Sequence, residues 1–268
     1  MSPPTWLTEA QHQWQQGEPL TALAVLENGL AAEPGCVEGW ELKERVLQAL
    51  GRYGEAAEAN ATAIQWMRAG ARSQESVAPI TAEDWCALGY QQVTSGDLQA
   101  ALTSFDRTLE LKPDFPEAWV NRGVALALLG RDEEALACYD RALELKPDFP
   151  EAWSNRGVAL NNLGRDEEAI TSCDRVLELK PDFPEAWACR GRALNNLGRD
   201  EEAITSCDRA LELKPDLPEA WACRGVALNN LGRDEEAITY CDRVLELKPD
   251  LPEAWSNRGV ALNNLRAR

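Results

Sequence analysis

From Pro150 to Phe183 the chain reads PEAWSNRGVALNNLGRDEEAITSCDRVLELKPDF. Almost the same text stands on either side of it. PEAW begins at Pro116, Pro150, Pro184, Pro218 and Pro252, each start 34 residues after the last, and LGRDEEAITSCDRALELKPD is close to a refrain. Upstream the wording diverges but the interval holds: Trp85 precedes Trp119 by 34 residues, and Trp6 precedes Trp40 by the same distance. Between Trp40 and Trp85 the spacing is 45, so 11 extra residues lie there, placed at 71–81 (ARSQESVAPIT). A fixed period of this length marks a repeat architecture, in which one supersecondary unit is copied along the chain.

Each unit reads as two helices. Pro150 suits a first helical turn, where its missing N–H costs nothing. Glu151 complements the positive end of the helix dipole. Trp153, Gly157, Leu160 and Leu163 fall on one stripe at three- and four-residue spacing. Gly164 is placed to end this helix in a left-handed conformation. Asp166 is placed to cap the second helix, with Glu167 and Glu168 in its acidic first turn. That helix offers Ala169, Ile170, Cys173, Val176 and Leu177 to a core, and Pro181 stops it. The small Gly157 and Ala169 let the two helices approach closely while Trp153 fills the space beside them. One such pair cannot bury its apolar faces alone, so neighbours must stack.

These residues resemble the tetratricopeptide-repeat (TPR) family. Trp119, Gly123, Leu126, Ala135, Tyr139 and Pro147 stand at the places of the family signature W-x₂-L-G-x₂-Y…A-x₃-F…P. Arg122 occupies the usual Leu position and Leu126 the usual Tyr position. The resemblance covers nearly the whole chain and implies an all-α fold, a right-handed α-solenoid (superhelix) of stacked helix-turn-helix repeats. Two divergent repeats are expected at 3–36 and 37–70, followed by the 71–81 insertion. Five more follow at 82–115, 116–149, 150–183, 184–217 and 218–251, and residues 252–268 supply a C-terminal capping helix.

Composition narrows the partners. The chain carries 27 Lys and Arg against 45 Asp and Glu, a net charge of −18. Nucleic acid requires clustered basic residues, and an anionic membrane surface attracts them, so neither is expected. A protein or peptide partner of neutral to basic character is. The hydrophobic fraction of 44% separates the chain from a disordered acidic tail. No apolar run approaches the roughly 20 residues of a membrane span. Met1-Ser-Pro-Pro-Thr-Trp6 lacks the basic stretch and apolar core of a signal peptide, so a cytoplasmic location is expected.

No catalytic constellation stands out. His12 is the only histidine, no serine–histidine arrangement exists, and adjacent carboxylates such as Glu167 and Glu168 diverge rather than converge. No phosphate-cradling glycine loop is present. The expectation is a non-enzyme with no catalytic residue and no cofactor. The eight cysteines (Cys36, Cys86, Cys138, Cys173, Cys189, Cys207, Cys223 and Cys241) form no C-x-x-C pair, so no metal site is expected. Cys173, Cys207 and Cys241 recur once per repeat, where a small apolar side chain is wanted, and read as buried free thiols in a reducing compartment.

Asparagine is the more informative residue. With about 100° per residue and Trp153 at the origin, Glu151, Asn155, Val158 and Asn162 fall within about 30° of the opposite direction. Asn161 lies to one side. The same face elsewhere carries Asn121 with Leu128, Cys189 with Asn196, Cys223 with Asn230, and Asn257 with Asn264. The family resemblance implies that this face lines a concave groove. An asparagine side chain both donates and accepts hydrogen bonds, so a row of them can hold the backbone of an extended peptide whatever its side chains. Such rows are similar to those of the TPR domain of O-linked N-acetylglucosamine transferase, whose ladder position matches Asn121, Asn155 and Asn257. Cys189 and Cys223 interrupt that ladder. A second row is formed by the pairs Asn161–Asn162, Asn195–Asn196, Asn229–Asn230 and Asn263–Asn264. The competing reading is that asparagine merely solubilises a helix end, where its modest helix propensity costs little.

The groove face also carries Glu117, Glu151, Glu185, Glu219 and Glu253, with Arg192 as the basic exception. That disfavours a basic clamp for carboxylate tails. In the first two repeats Trp14, Lys43, Arg45, Tyr53 and Trp66 either build a separate pocket or pack between helices. The favoured function is a non-catalytic scaffold that holds an extended peptide or protein segment in its groove. The alternatives are a structural array stacking end to end, since near-identical repeats make its ends resemble internal interfaces, and the recognition arm of a larger enzyme.

Overall fold

The structure, a computed structural model, describes residues 3–70 and 80–267. The described residues form fifteen α-helices and no strand. They fall into two compact units, 1–129 and 130–268. The first holds α1 (Thr5–Gln15), α2 (Pro19–Ala32), α3 (Val37–Ala49), α4 (Tyr53–Gly70), α5 (Ala82–Ser95), α6 (Leu98–Leu111) and α7 (Pro116–Leu128). The second holds α8 (Asp132–Leu145), α9 (Pro150–Asn162), α10 (Asp166–Leu179), α11 (Pro184–Asn196), α12 (Asp200–Leu213), α13 (Pro218–Asn230), α14 (Asp234–Leu247) and α15 (Pro252–Ala267). In the second unit every helix packs on the next; in the first, α1 to α4 and α5 to α7 do so in succession and α4 packs against α6, as an all-α solenoid requires. Most of the 71–81 insertion lies outside the described residues. Its last residue, Thr81, caps α5: the Thr81 hydroxyl accepts from the Asp84 N–H at 3.2 Å, and Asp84 accepts from the Thr81 N–H at 3.1 Å.

The turn after α9 shows how one sequence makes the hairpin. Gly164 takes φ 70°, which only glycine adopts without strain. The Arg165 N–H then reaches back to the Leu160 carbonyl at 2.9 Å, satisfying the end of α9. This very short turn corrects the expected cap. Arg165, not Asp166, is the half-helical residue before α10, with φ −94° and ψ 61°, and no side chain caps that helix. Arg165 instead pairs with Glu168 one turn on. Asp166 is the first helical residue, is buried, and accepts from the amide N–H of Asn196 at 2.9 Å.

The core of the second unit runs unbroken along the stack. Leu160, Leu194 and Leu228 are fully buried, with Ala169, Ala203 and Ala237 opposite them. Each such leucine contributes about 2 kcal/mol relative to an exposed one. Leu177 is only half-buried. In the first unit Leu7, Leu26, Leu42 and Val46 form the corresponding core, with Trp6, Trp14 and Trp40 packed against it.

Two polar devices recur between successive hairpins. The indole N–H of Trp153, Trp187, Trp221 and Trp255 donates to the carbonyl of Pro147, Pro181, Pro215 and Pro249 respectively, pinning the connecting turn. Trp40 and Trp119 do the same to Pro34 and Pro113. The arginine that departs from the family signature is explained the same way. Arg156 and Arg190 donate to Asp140 and Asp174 on the preceding helix at 2.7 Å, and to Ser172 and Ser206 on the following one. Arg122 pairs likewise with Asp106. A leucine at this place would fill the volume but could not join both neighbours.

Candidate groove on the second unit

The first helices of successive hairpins, α9, α11, α13 and α15, present one face to a cavity of about 740 Å³. Its floor is Ala188, Cys189, Ala222 and Cys223, flanked by Val158, Val226, Leu217 and Leu251. Asn195, Asn196, Ser256 and Asn257 supply polar lining, and Glu185, Glu219 and Arg192 supply charge. Small side chains on α11 and α13 leave the space open, and the period of the chain aligns them. Glu185 is paired with Lys214 at 3.1 Å. Arg192 donates to the side-chain oxygen of Asn162 at 3.3 Å, which draws its charge toward α9.

The asparagines divide by what their N–H groups reach. Asn161, Asn195 and Asn229 donate forward, to the backbone carbonyls of Cys189, Cys223 and Asn257 at 3.0, 2.7 and 3.0 Å. Their side-chain oxygens are buried without a partner. Asn162, Asn196, Asn230 and Asn264 donate backward, to the carboxylates of Asp132, Asp166, Asp200 and Asp234. The pairs Asn161–Asn162, Asn195–Asn196 and Asn229–Asn230 thus tie their helices to the hairpins before and after. This bridging is invisible in a helical wheel, which sees one helix at a time. Asn263, in the last helix, is exposed. On the other row, half-buried Asn257 donates to the Ala222 carbonyl at 3.4 Å, and Asn121 contacts the Cys86 sulfur at 3.8 Å. Asn155 is half-buried and lies outside the cavity lining.

Two residues of the groove floor, Cys189 and Cys223, each face a second thiol beneath it. The Cys207 thiol donates to the Cys223 sulfur at 2.7 Å. Cys173 and Cys189 hold the equivalent places one hairpin earlier, and their hydrogen bond pushes the Cys173 thiol well above its ordinary range while holding Cys189 below it. Cys241, which faces no second thiol, is pushed up to about 11, mainly by burial. In the first unit Lys43 lies over the Trp40 ring, 5.4 Å from its centroid, and reaches Glu27 at 3.7 Å. Trp66 packs near Gly35, and Tyr53 is 38% exposed.

Comparison with known proteins places this architecture. The tetratricopeptide-repeat model matches residues 7–73, 86–148 and 133–182, and related repeat models match 191–232 and 218–251. The chain belongs to the tetratricopeptide-repeat family. No curated protein matches it in sequence. Among solved structures it is similar to TTC0263, a thermophilic TPR protein of Thermus thermophilus, at 24% identity over 68% of this chain and 99% of that one, TM-score 0.57. MamA from Desulfovibrio magneticus follows at 21% identity over 63% and 95%, TM-score 0.57. YrrB, described as a TPR protein with an unusual peptide-binding site, aligns at 22% over 66% and 92%, TM-score 0.55. At these identities the likeness shows the fold. Family membership supports a protein-interaction scaffold, and among the described residues no helix is long and apolar enough to cross a membrane.

Proposed function

We propose that the face formed by α9, α11, α13 and α15 binds an extended, neutral-to-basic segment of a protein partner. The observation that carries this reading is the 740 Å³ cavity with its small apolar floor and convergent amides. Asn196 and Asn230 are exposed, and their N–H groups are held by Asp166 and Asp200. An amide anchored at its nitrogen presents its oxygen in a fixed direction, a pre-organised acceptor for a peptide N–H. Within this unit Asn155 on α9 and Asn257 on α15 stand at the same place in their helices and extend the polar row. The Glu219 carboxylate also lines the cavity and favours a basic side chain on the ligand.

The test is affinity selection of extended neutral and basic peptides against the reduced, folded chain, followed by Val226→Lys. Val226 lines the cavity and is half-exposed, so the substitution adds bulk and charge to the groove without removing a hydrogen bond. Binding weakened about tenfold or more, with helicity unchanged by circular dichroism, supports the groove. Equal affinity for wild type and variant would sink it.

A second reading has its own observation. In α15 Trp255 is 55% exposed and Val260 46%, an apolar surface that another copy of the chain could cover in head-to-tail fashion. Light-scattering mass that stays at one chain across a concentration series removes this reading.

A further inference from the structure

We propose that Cys173–Cys189 and Cys207–Cys223 are two dithiol sites that close to disulfides on reaction with a small disulfide of the glutathione class. The inference is independent of peptide binding. The pairs recur by design of the repeat. A residue of each second helix meets the residue 16 positions on, in the next first helix, beneath a glycine. A Cβ on Gly191 would lie 2.7 Å from the Cys207 sulfur and 3.0 Å from that of Cys223. On Gly157 it would lie 3.1 and 3.4 Å from the Cys173 and Cys189 sulfurs. The same two positions read Phe105 and Asn121, Tyr139 and Asn155, and Cys241 and Asn257 at the other junctions. Both partners change to cysteine together at two successive junctions. Cys241, near Asn257 under Gly225, is the built-in control with no thiol opposite.

The geometry suits closure. At 2.7 Å the Cys207 and Cys223 sulfurs are a short movement from the ~2.05 Å of a disulfide. Their partners differ in access: Cys173 and Cys207 are fully buried, whereas Cys189 and Cys223 are 7% exposed and line the cavity. No group of three or more His, Cys, Asp or Glu converges among the described residues, so the pairs lack the donor set of a metal site.

In the reaction the Cys223 thiol loses its proton and attacks one sulfur of the small disulfide, expelling a thiolate and forming a mixed disulfide. Cys207 then loses its proton and attacks the Cys223 sulfur, expelling the second thiolate. The protein gives up two electrons and two protons, and the reagent leaves as two thiols. Cys189 and Cys173 repeat the sequence. The lowered pKa of Cys189 assists its first step. Closure fastens α10 to α11 and α12 to α13 directly under the groove floor.

The experiment treats the folded chain with oxidised glutathione, quenches with acid, alkylates the remaining thiols and maps the tryptic peptides by mass. The peptides bearing Cys173 and Cys207 are identical, DEEAITSCDR, but those bearing Cys189 and Cys223 (residues 176–190 and 210–224) differ. The expected result is DEEAITSCDR joined to each of the latter, about 2 Da lighter per bond, with Cys138 and Cys241 alkylated. In Cys173→Ser the link to 176–190 disappears and the link to 210–224 remains. Alkylation at all eight cysteines, glutathione retained on Cys189 or Cys223 without closure, or an unchanged link to 176–190 in Cys173→Ser each overturns the proposal. The wild-type measurement stands whether or not the variant folds.

Discussion

Gly157, Gly191, Gly225 and Gly259 hold the same place in α9, α11, α13 and α15, each preceded by an arginine. Glycine to alanine in a helix interior gains about 1 kcal/mol from propensity, and this gain is common to all four. What differs is the room for a methyl group. At Gly259 nothing lies within 4 Å of the added Cβ, so the full gain of about 1 kcal/mol is expected. At Gly225 the nearest atoms, the Cys241 sulfur at 3.5 Å and the Asn257 amide nitrogen at 3.8 Å, are at ordinary contact, and most of the gain survives. At Gly157 the nearest sulfur is at 3.1 Å and must shift slightly, so gain and cost nearly cancel. At Gly191 the methyl meets sulfurs at 2.7 and 3.0 Å and the Ala203 carbonyl at 3.3 Å. Overpacking of this kind costs about 1–3 kcal/mol, so Gly191→Ala is expected to lose about 1 kcal/mol net and to lie about 2 kcal/mol below Gly259→Ala. Repeat arrays need not unfold in one step. The assay is therefore native-state hydrogen exchange under reducing conditions, read on each helix, alongside urea midpoints. If Gly191→Ala proves as stable as Gly259→Ala, the close approach at the thiol pair is wrong.

Two further substitutions test the inter-repeat ties. Asn196→Ala removes the donor to buried Asp166 and is expected to cost about 1.5 kcal/mol. Asn195→Ala costs less, because it also removes a buried oxygen without a partner, and Asn263→Ala changes stability by under about 0.5 kcal/mol; equal urea midpoints for all three would refute the bridging role. Trp221→Phe deletes the 2.8 Å bond to the Pro215 carbonyl and is expected to lower stability by about 1 kcal/mol, and an unshifted midpoint would show that the indole N–H does not hold the turn.

Much of the fold is legible in one period of text. Pro150, the Trp153 stripe and Gly164 define the first helix, its buried side and its end, because each acts through local geometry that a linear pattern records. The expected Asp166 cap failed for a reason equally local: with Gly164 in the left-handed conformation, the turn is one residue too short for it. The arginine at the usual leucine place, a bare departure in the sequence, becomes intelligible only beside Asp140 and Ser172.

The candidate site divides along the same line. The sequence alone determined the repeat, the helix pairs, and which face of each first helix carries Asn, Val and Glu, since those follow from spacing within one helix. What each asparagine reaches, the meeting of Cys207 with Cys223 and the opening of a cavity arise from the packing of one helix on another. Those depend on contacts between residues 16 to 30 positions apart on different helices, and a helical wheel carries no information about the distance between one helix and the next.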